Sequence, residues 1–340
     1  MKKKISFILF TLLCFSNWLT SSVHAEENQS SQGGYSIEGI ANEHQISSDV
    51  SYFYLYETPG STDQLKVKLI NQSDSEKILQ VKVTNANTNS NGLIDYTGKL
   101  PDHQTLKTPL TSLLKPKEEH VTVPAHSEKI ATLDLAMPPK KQSGIILGGI
   151  VVSDITDNQT EESQLSVGNT YSYTLGVVLT NDKEGKISVD NGIDITLEKV
   201  EAKSVSGKRI VQADILNDNP YMLEQSTVEG KILSEKGNKV LKERKVENVR
   251  MAPYSVYPFQ FDWEKENLEA GTYIFKGSVK TANDTWEFTK TFTITDKETK
   301  EINKKSVFNV QIPSWLIWSL FVGCILSVVS ALFMVFKGGK

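Results

Sequence analysis

The residue types that carry most hydrolytic, redox and group-transfer chemistry are sparse in this chain. Its two cysteines, Cys14 and Cys324, lie inside apolar runs near the two ends, so everything between them lacks a thiol and a disulfide. No G-x-S-x-G elbow, H-E-x-x-H pair or G-x-x-x-x-G-K-[ST] loop occurs. His44, His103, His120 and His126 stand at spacings that match no recurrent ligand set, and neither a metal nor a cofactor is expected. Glu118-Glu119 and Glu161-Glu162 are paired only in sequence, whereas a glycan hydrolase needs two carboxyl groups facing each other across a groove. The chain therefore reads as a non-enzyme.

Binding chemistry is better supplied. Asn85 to Glu119 is a polar excursion of about 35 residues between two apolar runs, longer than the roughly 12–15 residues of ordinary connections. It opens with NANTNSNG, where Asn91-Gly92 suits a tight turn with positive φ, and continues through Ile94 to Tyr96. Amide and hydroxyl groups beside an aromatic face suit a saccharide or peptide. Asn87, Thr88, Asn89, Asn91, Asp95 and Tyr96 are the candidates. The alternative is a plain surface loop whose asparagines serve turn geometry.

The elements that must position these residues are short alternating runs, each bounded by Asp, Asn, Gly or Pro. Ser51–Leu55, Leu65–Ile70, Ile78–Thr84, Lys129–Leu135 and Ile145–Val152 read as one series of strands. Tyr171–Thr180, Ile193–Val200, Ile210–Leu216, Val228–Leu233, Val256–Trp263, Tyr273–Val279 and Trp286–Ile294 form a second. The expected fold is all-β: two tandem immunoglobulin-like β-sandwich domains, at 35–155 and 170–296, joined by a polar linker at 156–169. Within the blocks, Leu69-Ile70-Asn71-Gln72-Ser73 parallels Leu216-Asn217-Asp218-Asn219-Pro220, and Val123-Pro124-Ala125-His126-Ser127 parallels Met251-Ala252-Pro253-Tyr254-Ser255. Duplication and convergence on common sandwich turns both account for this.

The two ends differ from the rest. Lys2, Lys3 and Lys4, the apolar Ile5–Leu13 and the small-residue Val23-His24-Ala25 form a secretion signal, residues 1–25. Trp315–Phe336 is uncharged for about 22 residues, roughly 33 Å of helix against a ~30 Å hydrocarbon core. A C-terminal transmembrane α-helix is expected at 314–336, with Trp315 and Trp318 at the outer interface and Lys337 at the inner one. It follows a juxtamembrane stalk at 297–313 and leaves a cytoplasmic tail at 337–340. About 18 stalk residues from Thr295 to Pro313 would reach roughly 60 Å at most, which places the exported domains in the inner cell-wall zone. No LPxTG-type signal precedes the span, so covalent wall attachment is not expected. The exported part holds thirty-two basic and forty-one acidic residues, a net charge of −9, which argues against nucleic acid as a partner.

Taken together, several blocks resemble the WxL-interacting proteins of low-GC Gram-positive bacteria. The carriers are YLYETPG (54–60), NANTNSNGLIDY (85–96) and GIILGGIVV (144–152) in the first block. In the second they are YSYTLGVVL (171–179), Met251-Ala252-Pro253 with Ser255, Gly271-Thr272-Tyr273 and Trp286-Glu287-Phe288. The resemblance implies a peptidoglycan-binding domain followed by a host-binding domain, with a WxL-domain surface protein or a host extracellular matrix protein as the second partner. Tyr254 and Ser255 become the candidate contacts for that protein partner. Tyr254 stands where the family usually has Asn. A membrane-held chaperone for exported wall proteins is the rival reading, favoured by an open, exposed edge strand.

Overall fold

Leu65, Val67 and Leu69 alternate with Lys66, Lys68 and Ile70, and a strand turns such a set of three onto a single face. In the computed structural model, which describes residues 33–156, 171–235, 239–307, 319, 321, 322, 325 and 327, that face closes a sandwich. The strands are β1 (Tyr35–Gly39), β2 (Phe53–Tyr56), β3 (Thr62–Asn71), β4 (Lys77–Asn85), β5 (Asn87–Thr88), β6 (Ile94–Asp95), β7 (Leu114–Pro116), β8 (His120–Val123), β9 (Ser127–Ala136), β10 (Ile145–Asp154) and β11 (Ser172–Thr180), with a one-turn helix α1 (Leu110–Leu113) before β7. One sheet runs β1-β3-β9-β7 and the other β2-β11-β10-β4-β8. Leu65, Val67, Leu69 and Leu133 from the first meet Leu55, Leu79, Val81, Ile150, Val152, Val177 and Leu179 from the second.

The position of β11 corrects the expected division at 156–169. Tyr171–Thr180 reads as the first strand of the second block, yet Ser172–Thr180 pairs antiparallel with β10 and parallel with β2. It is therefore an internal strand of the first sandwich. The polar stretch before it joins two neighbours of one sheet rather than two domains.

The second sandwich contains β12 (Ser188–Val189), β13 (Ile195–Val205), β14 (Lys208–Asn217), β15 (Met222–Ser234), β16 (Val240–Met251), β17 (Ser255–Asp262), β18 (Gly271–Lys280) and β19 (Thr285–Ile294). The β13-β14-β17 sheet faces the β12-β15-β18-β19 sheet, with β16 also paired to β15. Tyr257, Phe259 and Phe261 point inward from β17, and Phe259–Phe261 and Phe261–Phe275 meet edge to face at 5.0 and 6.1 Å. Trp263 is buried, and half-buried Trp286 donates its indole N–H to the Ile193 carbonyl at 3.1 Å.

Residues expected to form a free stalk instead fold onto this sandwich. Helix α2 (Asp296–Lys304) starts at a capping box, in which Thr295 accepts from the Glu298 N–H and the Glu298 carboxylate accepts from the Thr295 N–H. Buried Ile302 joins the sandwich core. Arg209 is 1% exposed, and its guanidinium donates to Asn303 Oδ1 (3.0 Å), Asn267 Oδ1 (2.9 Å) and the Glu264 carbonyl (3.4 Å). Asn303 also exchanges hydrogen bonds with both backbone groups of Leu268, at 3.0 and 2.9 Å.

The two parallel sequence pairs occupy equivalent places. Asn71 ends β3 and donates to the carbonyls of Ser75, Val123 and Pro124; Asn217 ends β14 and donates to Tyr221 and Ala252. His126 and Tyr254 both have left-handed backbones, with φ 48 and 52. The next residue in each, Ser127 and Ser255, donates back three residues to Pro124 and Ala252. The repeated turn explains the usual Asn at position 254, since Asn tolerates a positive φ that costs a ringed side chain about 1–2 kcal/mol.

Among the described residues no helix is long and apolar enough to cross a membrane. The expected signal, and Trp315, Trp318 and Lys337 of the expected span, lie outside the described residues.

Candidate binding cleft at the junction of the two sandwiches

Strand β10 reads as an unbroken apolar run because both of its faces are covered. Ile146, Ile150 and Val152 enter the first core, while Ile145 and Leu147 face the other way with Tyr54 and Val178. Ala252, Ile187 and Met222 of the second unit and Ala86, Ile94 and Tyr96 of the long excursion pack on that second face. Gly149 is what lets Tyr96 lie down there. A Cβ at Gly149 would sit 2.9 Å from Thr174 Cγ2 and 3.3 Å from the Tyr96 ring, so the glycine makes room for both.

The excursion is neither a free loop nor disordered. Strands β5 and β6 form a small ribbon closed by the Asn89–Leu93 turn, with Gly92 at φ 74 as Asn-Gly demands. The Arg250 N–H donates to the Gly92 carbonyl at 2.8 Å, and a Cβ at Gly92 would come within 2.8 Å of Val249. Thr88, 1% exposed, is the hub. Ser255 gives its hydroxyl proton to Ala252, so Thr88 Oγ1 donates to Ser255 Oγ (2.6 Å) and accepts from the Ala252 N–H (2.9 Å). Arg244 adds a hydrogen bond to the Ser90 carbonyl at 3.3 Å.

The candidates for two separate ligands thus meet each other. Thr88 and Ser255 (0% exposed) are bonded together across the junction, and buried Asn87 donates to Asp102 at 3.0 Å. Asn89 Oδ1 accepts from the Asn91 and Leu93 N–H groups, and Asp95 accepts from Thr97, so both shape turns. Asn91 is exposed at the tip. Tyr254 lines a separate cavity of about 450 Å³ bordered by Lys107, Lys140 and Lys141.

Of the first set, Tyr96 keeps the ligand geometry. It lines a cleft of about 550 Å³ with Tyr52, Thr174, Glu224 and Arg250. Burial pushes the Tyr96 phenol up to about 12. Burial and then the Glu224 carboxylate raise Tyr52. Both phenols therefore stay protonated donors at neutral pH. Glu224 accepts from Ser188 at 3.0 Å, and Arg250 is exposed with no ion pair among the described residues. Two aromatic faces, a hydroxyl, a carboxylate and a guanidinium thus converge from both sandwiches. Tyr52 carries no signal in the sequence beyond its place before β2, and Arg250 lies on β16, a strand the alternation does not reveal.

Replacing Thr88 by Val removes the hub while keeping its shape, which leaves the buried Ala252 N–H without an acceptor. The expected loss is about 1–3 kcal/mol of junction stability. A Thr88→Val/Ser255→Ala double-mutant cycle should show coupling. Additive melting losses would mean the two hydroxyls do not act together.

Two family models match the sequence, in the order the resemblance implies: "WxL Interacting Protein, peptidoglycan binding domain" over residues 35–154 and "WxL Interacting Protein, host binding domain" over 162–304. The chain belongs to the WxL-interacting protein family. In this WxL-interacting protein the host-binding match includes β11, which completes the first sandwich, and the Tyr52–Tyr96 cleft takes residues from both matched segments. No curated protein matches the chain in sequence. Among solved structures, the Pseudomonas aeruginosa CupB2 chaperone is 12% identical over 68% of this chain and 92% of that one, with a TM-score of 0.28. The E. coli chaperone DraB is 14% identical over 70% and 91%, with a TM-score of 0.26. These overlaps are loose, and it is the strand pairing of the WxL-interacting protein itself that establishes its sandwiches. Both matched segments are binding domains, and the protein is a cell-surface binding protein.

Proposed function

We propose that this WxL-interacting protein is a non-enzymatic scaffold that holds peptidoglycan in the Tyr52–Tyr96 cleft. Its second sandwich would hold a WxL-domain surface protein or a host matrix protein. A signal at 1–25 would export it, and a helix at 314–336 would hold it in the membrane. The observation that carries the wall reading is the cleft: tyrosine faces suit sugar rings, and Arg250 suits the carboxylates of stem peptides. Of the two residues expected to meet a protein partner, Tyr254 has access to solvent and Ser255 has none. The chaperone reading needs an open strand edge. The longest edge strand, β16, carries Lys242, Glu243, Arg244, Lys245 and Glu247, charges of the kind that block strand addition.

The test is co-sedimentation of the full chain, in detergent, with purified insoluble peptidoglycan. Tyr52→Ala and Tyr96→Ala should each weaken binding by about fivefold or more, as truncated anchor residues do, and Arg250→Glu should act in the same direction. A double tyrosine variant that melts normally and still sediments like wild type would remove the wall ligand from this cleft.

A further inference from the structure

We propose that His44, Glu57 and Asp63 form a divalent-cation site on the first sandwich, at the end of β2 opposite Tyr52. The three residues come from separate pieces of chain. His44 lies in the turn after β1, Glu57 directly follows β2 and Asp63 opens β3. His44 Nδ1 stands 2.9 Å from Glu57 Oε1 and 3.6 Å from Asp63 Oδ2, and one ligand atom from each of the three falls within 4.8 Å of the others.

Charge balance is the central observation. The Glu57 side chain is 0% exposed and that of Asp63 16%, so two carboxylates are drawn out of water side by side. The only ion-pairing group either of them meets among the described residues is the His44 imidazole, itself 39% exposed. With both carboxylates ionised, the His44 imidazole offsets at most one of their two charges. Buried carboxylates without counter-charge are costly. A cation of charge +2 offsets both.

The surroundings are built like a ligand shell. Ser61 donates to Glu57 Oε2 at 2.9 Å, leaving Oε1 aimed into the cluster. Asn42 donates to Asp63 Oδ2 at 2.7 Å, and its own Oδ1 accepts from the His44 N–H at 2.7 Å. Outer hydrogen bonds of this kind fix the orientation of metal ligands. The backbone of Glu57 is held on both sides, its N–H by the Thr180 carbonyl and its carbonyl by the Asn181 amide. A groove of about 820 Å³, lined by Asn42, Glu43 and Asp63, gives an entry path from solvent. One imidazole nitrogen with two carboxylates suits Zn²⁺ or Mn²⁺, with water completing the coordination. The bound ion would pin the turn after β1 to the β2–β3 corner, and Zn²⁺ binding would displace any proton on Nδ1.

The experiment takes the full chain in detergent, stripped with EDTA, and titrates ZnCl₂ and MnCl₂ by calorimetry and by thermal melting. At a hundredfold excess of metal over its Kd the first sandwich should melt about 5–10 °C higher. His44→Ala and Asp63→Asn should each abolish the shift, while His126→Ala, which removes an exposed histidine paired with Asp74, should leave it intact. Should either site variant fail to melt cooperatively without metal, the stoichiometry of the wild-type titration decides: one ion per chain with proton release supports the site. No binding by wild type, or equal binding by folded His44→Ala, overturns it.

Discussion

A fragment that ends at Ile155 is expected to stay unfolded, whereas one that continues to Asp182 should melt cooperatively. The reason is β11. It lies between β10 and β2, so its removal strips Val177, Val178 and Leu179 from their packing and leaves β2, with Phe53 and Leu55, unattached to the sheet. Five such side chains at about 1.5–3 kcal/mol each rival the about 5–15 kcal/mol that stabilises a whole domain. The longer fragment also keeps Asn181, which donates to the Glu57 carbonyl and accepts from the Gln142 N–H. Far-UV circular dichroism with thermal melting separates the outcomes. A cooperative melt from residues 26–155 would mean that β11 is dispensable to the first sandwich.

Arg209→Ala is expected to cost the second sandwich about 3–5 kcal/mol. Truncating a buried side chain of this size leaves a cavity. It also removes the hydrogen bonds to Asn303, Asn267 and the Glu264 carbonyl, of which exposed Asn267 and Glu264 regain water while Asn303 loses this hold on the core. Arg209 has no carboxylate within ion-pairing distance among the described residues, so its charge is stabilised by amide and carbonyl dipoles alone. Arg209→Leu should therefore cost less, because it restores volume while removing the charge. Asn303 belongs to α2, so the loss should appear there first, as faster tryptic cleavage after Lys297 and Lys300 in the variant. Unchanged cleavage beside a lowered melting temperature would show that Arg209 supports the core and not the helix.

Where one face of a strand is apolar and the other polar, the sequence was legible. Leu65–Ile70 extends to Thr62–Asn71 in the structure, and Ile78–Thr84 to Lys77–Asn85, with their inward residues correctly placed. Strand β16 escaped because VLKERKVENVRM is charged along most of its length and buries only Val249 and Met251. Strand β11 was detected but attached to the wrong sandwich, since alternation reports which face is buried and is silent on the neighbour across the ladder. The candidate site divides along similar lines. Tyr96 stood out beside a run of asparagines whose length needed explaining. The same run offered Thr88 as a ligand contact, although a hydroxyl that would suit a sugar suits a partner hydroxyl equally well, and only the approach of Ser255 decides between them. His44 could not be joined to Glu57 and Asp63 because the turn that unites them leaves no spacing signature.

Helix α2 also has a mechanical meaning. Among the described residues, the last tie between the folded body and the chain that follows is the Val307 N–H on the Gly207 carbonyl, at 2.9 Å. If residues 314–336 cross a membrane as proposed, six residues, an extended leash of about 20 Å at most, lie between that tie and the span. An outward pull on the protein then loads the Val307 tie and the Arg209–Asn303 clasp in series. Their release would free the nine residues of α2 and lengthen the leash by about 17 Å, as helix becomes extended chain. The clasp would act as a fuse, giving way before either sandwich is asked to unfold.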